Sequence, residues 1–138
     1  MKNILIVCAF ILFSASTFGQ IIPKGALIGI HNYSVKLNGS TTEAEYKAFL
    51  DSKWLPVARK AYACEIHVLQ YIRGKSENKM GLLFLYKNPA DRDKLYSSEG
   101  VLNEAGKAAQ AKVDVVNAEL NKLGTTSGSY IYWTAQSI

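Results

Sequence analysis

Apolar and polar positions alternate with period two over Ala26–Leu37, read ALIGIHNYSVKL, and this predicts a strand. Ile28 and Ile30 fall on one side, Leu27, His31, Tyr33 and Val35 on the other, so a layer must pack on each. Alternation returns over Ala63–Arg73, where Cys64, Ile66, Val68 and Ile72 oppose Glu65, His67, Leu69, Tyr71 and Arg73. Lys79–Lys87 is nearly all apolar, and the polar stretch Gly74–Asn78 joins it to the preceding strand as a hairpin. The apolar member belongs inside a sheet and the half-polar one at its edge. Ser129–Gln136 reads as a last strand, with Tyr130, Tyr132 and Thr134 opposite Ile131, Trp133 and Ala135.

Helical spacing fills the gaps. Ser40–Glu43 and Thr42–Glu45 each spell a capping box, after which Tyr46, Phe49, Leu50 and Val57 recur at helical intervals with Trp54 close by. Pro56 predicts a kink after Trp54, and the helix is expected to end near Lys60. Asn88 and Pro89 open a second helical region, which pauses around Ser97–Gly100 and resumes from Leu102 to Leu123. Its stripe of Ala105, Ala108, Ala109, Val113, Val116, Leu120 and Leu123 suits close packing on a sheet, and Gly124 is the expected stop. The order βαββαβ predicts an α+β, ferredoxin-like fold: a four-stranded antiparallel sheet in the order 4-1-3-2, with both helices on one face.

The helices are expected over Ile28, Ile30, Ile66, Val68, Leu83, Leu85, Ile131 and Trp133. His31, Tyr33, His67, Leu69, Tyr71, Leu82, Phe84, Tyr86, Tyr130 and Tyr132 then share the uncovered face, more apolar area than a monomer leaves in water. A second copy of the sheet would cover it, which predicts a symmetric homodimer with a hollow lined by tyrosine and histidine.

Length and charge change this picture in three places. The 138 residues make one domain, but Met1-Lys2-Asn3, the apolar run Ile4–Phe13 and a short polar exit read as a signal peptide over residues 1–19. That run is too short to span a bilayer, and Val7 before Cys8 rules out a lipid-attachment site. Residues 20–138 are then one exported domain, periplasmic or secreted, with no membrane association once the signal is removed. Losing Lys2 leaves fifteen basic against eleven acidic residues, spread along the helices rather than in a stripe, which argues against nucleic acid. Cys64 would stand alone, which excludes an internal disulfide and a cysteine-based metal site.

The βαββαβ order, ALIGIHNYSVKL with its mid-strand histidine, and EYKAFLDSKWLPVARKA with its apolar-Pro-apolar ending together resemble the dimeric α+β-barrel superfamily. The local likeness is to the stress-responsive A/B-barrel, EthD-like and antibiotic-biosynthesis monooxygenase-like families. That resemblance implies a barrel-shaped dimer with one cleft per subunit, either between sheet and helices or within the barrel. It matches His31 to the mid-strand histidine and carries no other residue. Members include cofactor-free monooxygenases and secreted proteins of no assigned activity.

His31 is the candidate base, because an imidazole near pKa 6.5 suits proton abstraction at neutral pH. Tyr33, His67, Tyr71, Phe84, Tyr86, Tyr130 and Tyr132 are the candidate ligand-binding residues for a small apolar or aromatic molecule. No metal site is expected: in the 4-1-3-2 order the strands of His31 and His67 lie roughly 9–10 Å apart, too far to share an ion without more ligands. No cofactor is implied. Two readings stay open, a binding module without turnover and a cofactor-independent enzyme using His31 as general base.

Overall fold

A computed structural model of the chain describes residues 22–70 and 79–134. Strand β1 (Leu27–Leu37) leads into helix α1 (Glu43–Phe49), a π-helical turn (Leu50–Trp54) and helix α2 (Leu55–Tyr62). Strands β2 (Glu65–Gln70) and β3 (Lys79–Tyr86) follow, then the short helix α3 (Pro89–Asp93), the long helix α4 (Glu104–Leu123) and strand β4 (Gly124–Thr134). The sheet is four-stranded in the order β2-β3-β1-β4 with every neighbouring pair antiparallel, so the predicted order is the one found. The signal-peptide assignment and Tyr71 lie outside the described residues.

Local chemistry accounts for the helix boundaries. Of the two capping boxes in the sequence, the one at Thr42 forms: its Oγ1 accepts from the Glu45 amide at 3.2 Å, and Glu45 Oε2 accepts from the Thr42 amide at 2.8 Å. Those hydrogen bonds hold the Glu45 carboxyl below its usual pKa, the backbone bond contributing most. The kink expected at Pro56 is resolved by winding. Pro56 has no N–H to give, and just before it the helix loosens so that the Leu55 amide reaches back five residues to the Leu50 carbonyl. This places both Leu50 and Trp54 against the core. Helix α4 begins where Asn103 Oδ1 accepts from the Gly106 amide at 3.0 Å. Its end differs from the expected one: Gly124 is extended, not left-handed, and β4 starts there, five residues earlier than the sequence suggested. A side chain at Gly124 would lie 3.1 Å from the Lys36 carbonyl oxygen, so the glycine serves close approach of β4 to β1.

The sheet corrects the facing of its strands. Directly paired residues share a face, and the register sets Leu27 against Tyr86, His31 against Leu82 and Tyr33 against Met80. Ile66 pairs with Phe84 and Val68 with Leu82, so they join the same set. That set lies under the helices: Tyr33, Leu82, Phe84, Tyr86 and Ile66 are buried in one cluster with Tyr46, Leu50, Trp54, Ala58 and Tyr62 of the first helical segment and Ala109, Val113 and Leu120 of α4. The His31 face is thus the covered one. Ile28, Ile30, Leu83 and Leu85, expected under the helices, occupy the open face with His67 and Leu69. Alternation fixes which residues travel together within a strand; it does not say which set meets the helices, and it left β2 one step out of phase with β3.

Candidate functional site

Between the covered face of the sheet and the helices lies a cleft of about 880 Å³. The sheet supplies its floor through His31, Tyr33, Leu82, Phe84 and Thr126. Tyr46, Leu50, Trp54 and Tyr62 form one wall, so the π-helical turn before Pro56 shapes the cleft directly. Helix α4 forms the other wall with Gln110, Val113, Asp114, Asn117 and Leu120. Tyr96 and Gly100 approach from the loop before α4.

That loop is held by Arg92, which is buried. Its Nη1 donates to the Ser97 carbonyl at 2.8 Å and to Asp93 Oδ1 at 3.0 Å, and its guanidinium lies 4.7 Å from the centre of the Tyr96 ring. Arg92 thus anchors the segment that carries Tyr96 to the cleft.

A chain of hydrogen bonds stitches the two helical walls together. Tyr62 Oη donates to Gln110 Oε1 at 2.5 Å, and Gln110 Nε2 donates to Asp114 Oδ1 at 2.7 Å. From the other side Trp54 Nε1 donates to Asn117 Oδ1 at 2.8 Å, and Asn117 Nδ2 donates to the same Asp114 oxygen at 3.2 Å. Both aromatic rings are therefore oriented through an amide on one carboxylate, which fixes rotamers in the cleft wall.

Burial favours the neutral forms of His31 and of the tyrosines in the cleft. Burial lowers the His31 pKa below 6.5, so its imidazole is uncharged at neutral pH and one nitrogen can accept a proton. The His31 and Tyr33 rings meet edge to face with centroids 5.9 Å apart. Burial, reinforced by neighbouring Tyr46, pushes the Tyr33 phenol well above its usual range, and burial pushes Tyr46 up to about 12. Both hydroxyl oxygens are closed off from solvent with no hydrogen-bond partner among the described residues. Burial also raises Tyr62, with smaller contributions from Tyr96 and Asp114.

The structure brings together some of the residues singled out by sequence and separates others. His31, Tyr33 and Phe84 line the cleft. Tyr86 is buried on the same face at the end of β3, outside the cleft lining. Burial pushes the Cys64 thiol up to about 12, which makes Cys64 a packing residue rather than a nucleophile. His67 lies on the other face, exposed, with Nε2 3.5 Å from Glu65. The two histidines are on opposite sides of the sheet and share nothing. Tyr130 and Tyr132 pair with His31 and Gly29 in the backbone register; their side chains, like Tyr71, lie outside the described residues. Among the described residues no three His, Cys, Asp or Glu side chains gather as a metal site would require.

Sequence reasoning read Tyr46 and Trp54 only as part of the first helix's apolar pattern and passed over Tyr62, Gln110, Asp114 and Asn117. A signal was present. Gln110, Asp114, Asn117 and Asn121 recur at helical spacing beside the apolar stripe of Ala109, Val113, Val116 and Leu120, and a polar row at the edge of a buried stripe lines a cleft more readily than it faces bulk water.

No family model and no curated protein matches the chain. Solved structures do share its fold. A NIPSNAP family protein with unknown function from Agrobacterium tumefaciens aligns at TM-score 0.52 and 10% identity over 80% of this chain and 88% of its own. An uncharacterised NIPSNAP-like domain protein from Burkholderia xenovorans aligns at TM-score 0.52 and 11% identity over 79% and 85%. SnoaB, a cofactor-independent oxygenase from Streptomyces nogalater, aligns at TM-score 0.46 and 12% identity over 83% and 96%. At such identities the likeness is one of fold alone, the α+β arrangement described above.

Proposed function

We propose that the protein binds a small aromatic molecule in the cleft between its sheet and its helices. One observation carries the reading: a cleft of about 880 Å³ beside a half-buried neutral histidine, walled by aromatic rings whose orientation is fixed through Asp114. A volume of that order suits an organic molecule of drug size. Calorimetric titration with para-ethylphenol tests the proposal. Ala118 lies at the rim of the cleft and is exposed, so Ala118→Trp fills the opening without entering the core. The wild type should bind, and the variant should bind at least about tenfold more weakly. Equal affinity in the two overturns the reading.

A second reading is favoured by the state of His31. Held neutral by burial, it can take a proton from a phenol or an activated C–H bond, as the base of a cofactor-independent enzyme would. His31→Phe keeps the shape of the cleft, so a binding module retains its ligand and an enzyme loses turnover.

The open face supports a partner as well. Ile28, Ile30, Leu83 and Leu85 are only partly buried there, Leu69 is 36% exposed, and the polar Ser34, Lys36 and Lys79 lie toward one end. An apolar centre with a polar margin on a sheet face fits a second copy of this chain packed face to face. The homodimer expected from sequence is kept and its surface is exchanged for this one. Residues 1–19 retain the pattern of an export signal, which supports a periplasmic or secreted location.

A further inference from the structure

We infer that the ligand of the cleft is an organic cation, an aromatic compound carrying a protonated amine, held with its ring among the aromatic side chains and its ammonium at Asp114. This rests on the reading of the cleft as a binding site and names the chemistry that the site selects. Among the described residues lining the cleft, Asp114 is the one acidic side chain, and neither lysine nor arginine is present. Asp114 has no cationic partner among the described residues. Both amides that it accepts from, Gln110 and Asn117, bind one and the same oxygen, Oδ1. The Arg92 guanidinium lies against the Tyr96 ring, where Asp93 at 3.0 Å pairs with it.

Around that carboxylate the rings are placed by its own network. Trp54 reaches Asp114 through Asn117, and Tyr62 reaches it through Gln110. Phe84 meets Tyr62 edge to face with centroids 6.0 Å apart. Electron-rich ring faces beside one carboxylate attract a cation twice over, by the ring quadrupole and by direct charge. A carboxylate or phosphate ligand meets the reverse: an acidic side chain already in place and no counter-charge in the lining. The neutral His31 beneath adds no charge to oppose the ammonium.

Three probes of similar shape separate the outcomes: tyramine, para-ethylphenol and para-hydroxyphenylpropionate, titrated calorimetrically at pH 7 into the full-length protein freed of any signal peptide. Tyramine should bind about tenfold more tightly than the neutral phenol, and the carboxylate more weakly than either. In Asp114→Asn, which keeps the acceptor oxygen for Gln110 and Asn117, the tyramine-to-phenol ratio should fall to near one at an unchanged melting temperature. If the phenol binds and tyramine shows no advantage, or the advantage survives Asp114→Asn, the cationic ligand is wrong and the cleft reading stands. If none of the three binds, both fall.

Discussion

Tyr33 and Tyr46 carry hydroxyls that are buried without a partner among the described residues, and an unmet polar group in a core costs about 1–3 kcal/mol. Removing the group removes the cost. Tyr46→Phe is therefore expected to raise the unfolding free energy by about 1 kcal/mol in urea denaturation; a loss of stability would mean that the hydroxyl has a partner after all. His31 supplies the pH dependence at this scale. Its folded pKa lies below 6.5, so between the two values the unfolded chain holds more protons than the folded one. Stability then falls as pH drops through about 6.5 and levels once below the folded value. His31→Gln should flatten that slope in a pH series of thermal melts, and a slope unchanged by it would place the imidazole in solvent. None of this was visible in the sequence, where a tyrosine at a strand position reads the same with or without a partner for its oxygen.

Elements were more legible. Period-two alternation located β1 and β2, an apolar run after a polar turn located β3, and the capping box at Thr42 and the Asn88-Pro89 pair marked helix starts, because those signals are local and act within a few residues. The misses have equally definite causes. Strand β4 begins at Gly124 with Thr125, Thr126, Ser127 and Gly128, a polar stretch that reads as a loop and is a strand because β1 pairs with it along its whole length. Facing went wrong because alternation has two solutions and only tertiary packing chooses between them. Gly106 shows the same limit from the other side. Within a helix a glycine costs about 1 kcal/mol against alanine, yet a Cβ at Gly106 would sit 2.0 Å from the Leu95 carbonyl oxygen. Gly106→Ala is thus expected to destabilise the protein by about 1–3 kcal/mol in spite of its better helix propensity, measured by thermal or urea unfolding. A gain in stability would mean that α4 does not touch the loop that brings Tyr96 to the cleft.

For the molecule as a whole, the two faces of one sheet have separate work. The helices and the His31 face enclose a cleft, and the open face carries Ile28, Ile30, Leu83 and Leu85, the surface proposed for a second copy. The sequence argued for a dimer from the other surface, of which Tyr33, Leu82, Phe84 and Tyr86 lie buried in the cluster with the helices. This separation has a consequence for oligomeric state. If the proposed dimer forms through this face, Leu83→Lys puts a charge at its centre and should give a monomer in light scattering, whereas His31→Phe should leave a dimeric mass; a monomeric wild type, or the opposite pattern, would contradict the proposed interface.

The most direct check on the account is where a small aromatic molecule touches the protein. In a nitrogen-15 NMR titration with para-ethylphenol, the account predicts shifts at His31, Tyr46, Trp54, Tyr62 and Val113, on the covered face and the helices above it. Shifts confined instead to Ile28, Ile30, Leu83 and Leu85 would contradict it, because the ligand would then be using the face assigned here to a second copy of the chain.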